Sequence, residues 1–149
     1  KDDQSRLWEE IMRKYNISYI ISPPLLPRGE IIPIVEKVLW DDDWALIYSD
    51  HLSLIFLRKN DENMRLIQQF GMDKKEALNT IIIQASARAK INSANPYYLI
   101  TLGKVFLISG RVSDAEKAFE MAYQRDPHNP IIMEWLRKIR EAKERAGSE

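Results

Sequence analysis

The sequence predicts an α+β, mostly helical protein. A small three-stranded α/β unit over residues 1–60 is followed by an α-helical solenoid over 61–149 with a C-terminal capping helix. Three observations predict this. The dipeptide Asn95-Pro96 recurs as Asn129-Pro130, 34 residues later. Between and beyond these dipeptides, apolar residues return at helical spacing. Before residue 60 there is no such period, only short runs rich in β-branched and aromatic residues, punctuated by turn formers.

From the N-terminus, Leu7, Trp8, Ile11, Met12 and Tyr15 make one amphipathic helix, which Asn16 can stop. Ile17 to Ile21 is rich in β-formers and is closed by Pro23-Pro24, so it reads as a strand. Leu25 to Gly29 is a loop. Glu30 to Trp40 carries Pro33 in its first turn and fits a short helix. Trp44–Tyr48 and Leu52–Leu57 are two further strands, joined as a hairpin through Ser49-Asp50-His51. Sixty residues bury little surface, and Trp8, Trp40 and Trp44 are the residues expected to compensate with large buried areas.

In the second half, Glu62 to Phe70 is a short helix stopped near Gly71. Asp73-x-x-Glu76 then caps a longer one with Ala77, Leu78, Ile81, Ile82, Ala85 and Ala89 inward. Together they read as a degenerate helical pair ahead of the clear repeat, and the sequence leaves open whether residues 61–94 pack as a true TPR pair. In the next helix Pro96 suits the first helical position, with Asn95 as its cap. Leu99, Leu102, Phe106 and Leu107 form its apolar stripe. Gly103 allows a partner helix to approach, and Gly110 supplies a positive φ at the end. Ser113-Asp114-Ala115-Glu116 reads as a capping box, with Ala115, Phe119 and Ala122 inward. Asp126-Pro127 ends that helix. A last helix runs from Pro130 to about Ala146 with Ile131, Ile132, Trp135, Leu136 and Ile139 as its apolar positions. Its charged remainder suits the cap that a solenoid end needs.

The order Pro96, Leu99-x-x-Leu102-Gly103-x-x-Phe106, Gly110, Ala115-x-x-x-Phe119, Ala122, Pro127 resembles a tetratricopeptide (TPR) repeat over 96–129. Leu99 stands where the family has tryptophan and Phe106 where it has tyrosine. The resemblance implies a pair of antiparallel helices whose first member lines a concave face. There Tyr97, Ile100, Thr101 and Lys104 are the candidate binding residues for a protein or peptide segment, or for another domain of the parent protein. Of the adjacent Tyr97 and Tyr98, one is expected to pack and the other to be exposed.

A second resemblance covers most of the chain. Lys14-Tyr15-Asn16-Ile17-Ser18-Tyr19-Ile20-Ile21, Trp44-Ala45-Leu46-Ile47-Tyr48-Ser49-Asp50 and Leu54-Ile55-Phe56-Leu57-Arg58 look like the soluble tail of bacterial polytopic membrane glycosyltransferases. This resemblance implies an extracytoplasmic, periplasmic accessory domain of an inner-membrane protein, contacting a glycan or peptide acceptor without activity of its own. With Lys1 in place of a start methionine, the chain is expected to be a piece of a larger protein.

Composition narrows the function. Lys plus Arg equals Asp plus Glu, at 22 each. Such a balance argues against nucleic acid as partner, because phosphate binding needs a basic field. Zero cysteines exclude disulfides, thiolate catalysis and Cys-ligated zinc. No apolar run approaches the ~20 residues of a membrane span, so this segment is not expected to insert directly. Glycine is too scarce and scattered for a phosphate loop. Asp41-Asp42-Asp43 holds three consecutive carboxylates that point apart and reads as a solvated turn, not a cation site. Asp50-His51 and His128 lie in turns without a nucleophile beside them. No cofactor, metal or catalytic residue is expected, and the predicted role is non-catalytic scaffolding.

Overall fold

A computed structural model describes residues 3–146. Among them are seven α-helices and one three-stranded antiparallel sheet. In chain order these are α1 (Asp3–Lys14), β1 (Tyr19–Ser22), α2 (Pro33–Trp40), β2 (Trp44–Ser49), β3 (Leu54–Arg58), α3 (Met64–Phe70), α4 (Lys75–Ile91), α5 (Tyr97–Ile108), α6 (Val112–Arg125) and α7 (Pro130–Ala146). The chain divides into two compact units. One holds the residues up to Pro24 together with Ile32–Ala77. The other holds Leu25–Ile31 together with the chain from Leu78 onward.

In the first unit the strand order is β1-β3-β2. Phe56 lies at the centre, with Ile20 beside it on one strand and Leu46 on the other. Period-two alternation puts Ile20, Trp44, Leu46, Leu54 and Phe56 on the buried face, where Val35, Val38 and Leu39 of α2 also lie in the core. Tyr19, Ile21 and Tyr48 are exposed. Of the three tryptophans expected to be buried, only Trp44 is. Trp8 is half-buried and Trp40 is 58% exposed. The reason is helical phase: Trp40 shares a side of α2 with Pro33, Glu36 and Lys37, away from the Val35–Val38–Leu39 stripe.

Local chemistry sets the boundaries. Asn16 adopts a left-handed φ of 44°, and the amides of Asn16 and Ile17 donate to the carbonyls of Arg13 and Met12. This pattern closes the last turn of α1. The hairpin between β2 and β3 turns on Asp50, whose Oδ1 accepts the amides of Leu52 and Ser53 at 2.8 Å each. Lys74 Nζ donates to the carbonyls of Val38 (2.8 Å) and Asp41 (2.7 Å), placing a cation at the C-terminal end of α2. Asn63 Nδ2 donates to the carbonyls of Ser18 and Arg58, tying the start of β1 to the end of β3. The short helix α3 packs against β2, and the Met72 amide donates to Leu46 O on the outer edge of that strand.

In the second unit α5, α6 and α7 form consecutive packed pairs. Gly103 makes the first pair possible. A Cβ there would lie 2.5 Å from the ring of Phe119, closer than any real contact. Phe119 is fully buried and stacks on Trp135 of α7, with centroids 5.7 Å apart and planes 8° from parallel. Ala115 and Ala122 flank it, also fully buried. Gly110, at φ 73°, ends α5, with the Arg111 amide reaching back to Phe106 O. Arg125 of α6 donates to Asn95 O (3.0 Å) and Ala89 O (3.2 Å), fastening the end of α4 to the entry of α5.

One cap differs from expectation. The Ser113–Glu116 box is not formed, because α6 starts at Val112 and Ser113 already lies inside the helix. The adjacent charge pair is Arg111 with Asp114, at 2.8 Å.

Candidate interaction face

The four residues predicted to face a partner all lie on α5, at positions that share one side of a helix. Tyr97 and Lys104 are half-buried. Ile100 is 5% exposed and Thr101 only 2%. Of the tyrosine pair, Tyr98 is the packed one. The chain's own segment Leu25–Ile31 lies against this part of α5.

The segment is a tight turn. Leu25 bridges to Ile31, the Leu26 amide donates to Glu30 O at 2.8 Å, and the Gly29 amide donates to Leu26 O at 2.9 Å. Leu25 and Ile31 are buried, as is Gly29. Three side chains at the start of α5 then read three successive backbone carbonyls. Tyr98 Oη donates to Pro27 O (2.9 Å), Asn95 Nδ2 to Arg28 O (2.8 Å), and Thr101 Oγ1 to Gly29 O (2.6 Å). Asn95 does two jobs, since its Oδ1 also accepts the Tyr97 amide and caps α5. Gly29 stands at φ 107°, and a Cβ there would come within 2.6 Å of the Tyr98 ring. Glycine is therefore required both for the backbone angle and for the approach.

This recognition is of backbone, not of side chains. Carbonyl oxygens are common to every peptide, so the specificity comes from the turn's shape and from the glycine that lets it lie on Tyr98. One group is left over. Glu30 Oε2 is buried with no hydrogen-bond partner among the described residues. An unpaired buried acceptor costs about 1–3 kcal/mol.

Nothing in the sequence reading of α5 foresees the Leu25–Ile31 turn that lies on it. Pro27-Arg28-Gly29 reads only as a loop, Asn95 only as a cap, and nothing local marks contacts between residues 67 to 72 positions apart. The one available signal was Thr101, a hydroxyl in an otherwise apolar stretch, which needs a partner once buried.

The other chemical candidates sit in turns. Asp41 Oδ1 accepts the Asp43 amide at 2.9 Å. Asp50 Oδ2 accepts the Tyr48 hydroxyl at 2.8 Å. That bond, with the Leu52 and Ser53 amides, holds the Asp50 carboxyl below its usual range, and the same carboxylate raises the Tyr48 phenol. Both histidines, His51 and His128, are exposed. Among the described residues no three His, Cys, Asp or Glu side chains are grouped to hold a metal, and no helix is long and apolar enough to cross a membrane. The chain matches no known family model, no curated protein and no solved structure.

Proposed function

We propose that this chain is a non-catalytic protein-interaction module, with a TPR-like helical solenoid as its framework and the α5 face as its peptide site. The observation that carries the proposal is the triple engagement of Pro27, Arg28 and Gly29 carbonyls by Tyr98, Asn95 and Thr101. Thr101, on the helix face that the sequence marks for a partner, acts with the neighbouring Tyr98 and Asn95 to hold a peptide backbone, here the chain's own. The glycine-mediated approach of α6 to α5 and the stacking of α7 on α6 support the solenoid reading. Tyr97 and Lys104 remain half-exposed beside the filled part of the face, and these residues would extend contact to a partner.

Panning a random peptide library against the immobilised chain tests this. Turn-forming peptides are expected to be enriched, and their binding should be lost in the double variant Tyr97→Ala, Lys104→Glu. No enrichment, or enrichment indifferent to both changes, would overturn it.

A second reading is an extracytoplasmic accessory domain of a membrane glycosyltransferase. Its support is that the three segments carrying that resemblance, 14–21, 44–50 and 54–58, each contribute a strand to one sheet. Sequencing the gene upstream of Lys1 separates the readings. Several apolar runs of about 20 residues would favour the membrane protein.

A further inference from the structure

The bonds that hold the turn on α5 are bonds that another peptide can make. Tyr98, Asn95 and Thr101 donate to three successive main-chain carbonyls, and such bonds read no side chain. Leu26, Pro27 and Arg28 are themselves exposed, so their identities are free to vary. Only two features of the turn are restrictive. Gly29 has a φ of 107°, and a Cβ there would meet the Tyr98 ring, so any occupant in this pose needs glycine at that place. Leu25 and Ile31 are buried and bridged to each other, so an occupant needs apolar residues at those two places as well.

The turn's place in the chain matters too. The residues on either side of it, up to Pro24 and from Ile32, belong to the first unit, and the rest of the second unit begins at Leu78. Leu25–Ile31 therefore reaches α5 by closing a loop, through bonds between positions 67 to 72 apart. Loop closure supplies effective concentration, not a contact that a separate chain lacks. The turn also brings a defect of its own. Glu30 Oε2 is buried with no hydrogen-bond partner among the described residues, and an occupant without a carboxylate there avoids that cost.

We propose that Leu25–Ile31 is a built-in competitor for the α5 site, displaced by a partner protein's turn of the form apolar-x-x-x-Gly-x-apolar. This regulation presupposes that α5 is a peptide site, as proposed above. Partner binding and release of the turn are then one exchange. The apparent affinity for the partner is reduced by the small fraction of chains whose site is open.

The test uses the whole chain and a head-to-tail cyclic peptide, Leu-Leu-Pro-Gln-Gly-Glu-Ile, with glutamine in place of arginine to resist trypsin. A control peptide has alanine in place of glycine. Gly29→Ala excludes the chain's own turn from the site, so calorimetry should show this variant binding the peptide roughly tenfold or more tighter than the parent. Adding Thr101→Val should remove that gain, and the alanine peptide should bind neither chain. In the parent chain, trypsin reads release of the turn directly, because Arg28 is exposed while the carbonyls around it are bonded. Saturating peptide is expected to speed cutting after Arg28 several-fold by mass spectrometry, with cutting after Lys143 unchanged. That measurement needs no variant and decides the matter if Gly29→Ala does not fold. Equal affinity of a folded Gly29→Ala chain and the parent would overturn the proposal, as would peptide binding without faster cutting, or no binding to either chain. Library peptides that depend on Tyr97 and Lys104 yet leave cutting after Arg28 unchanged would keep α5 as a peptide site and overturn only the competition.

Discussion

Gly103 shows how much one absent side chain can determine. Its hydrogen stands where a Cβ would be 2.5 Å from the Phe119 ring. That ring has no room to retreat, because Trp135 is stacked with it. Gly103→Leu should therefore destabilise by roughly 1–3 kcal/mol or more, as overpacked cores do. An unchanged urea midpoint would refute the packing. Thr101 makes the complementary case. Its hydroxyl is the donor to Gly29 O in a buried setting. Thr101→Val keeps the shape and leaves that carbonyl unpaired, so a loss of about 1–3 kcal/mol is expected in the same assay. The first effect was legible from sequence, since glycine in an apolar helix flanked by a turn and a phenylalanine implies close approach. The second was not, because the partner of Thr101 lies 72 positions away.

Elements were read best where their signals are local. Asn16, Gly110, Pro33 and Asp50 each act within a few residues, and the structure uses each at its expected turn or helix end. The Ser113–Glu116 box failed because α6 starts one residue before Ser113, at Val112. The β2–β3 hairpin gives an element-scale prediction. Asp50 is held below its usual 3.8, first by the Tyr48 hydroxyl and then by the Leu52 and Ser53 amides. Its folded-state pKa is thus lower than its unfolded one. The stability it contributes is fully present above about pH 3.8 and is lost as pH falls through the lowered value. On acidification from pH 5 to pH 2, the protection of the Leu52 and Ser53 amides relative to their intrinsic exchange rates should fall, and their NMR shifts should titrate together. Asp50→Asn should abolish that titration. Shifts that follow the ordinary carboxylate range would show that the turn does not depend on the charge.

At the scale of the molecule, charge balance and helix order act together. With 22 cationic and 22 acidic side chains, no net repulsion keeps copies apart near neutral pH. Solubility then depends on how the apolar faces end. The last helix, α7, covers α6 with Ile132, Trp135 and Ile139 and turns ion pairs outward, Glu134 with Lys138 and Arg137 with Glu141. Each such exposed pair contributes little, about 0–1 kcal/mol, so their value is in hydration rather than in attraction. A chain stopped after Asp126 loses the Trp135 stack and exposes Phe119, Ala115 and Ala122 to solvent. Its net charge stays close to zero. It should melt at a lower temperature and self-associate near pH 7, eluting as a concentration-dependent oligomer in size exclusion with light scattering. Removing only the charge pairs, by Lys138→Ala with Arg137→Ala, should leave both properties nearly unchanged. A truncated chain that remains monomeric with the parent melting curve would mean that α7 is not the cap of this helical layer.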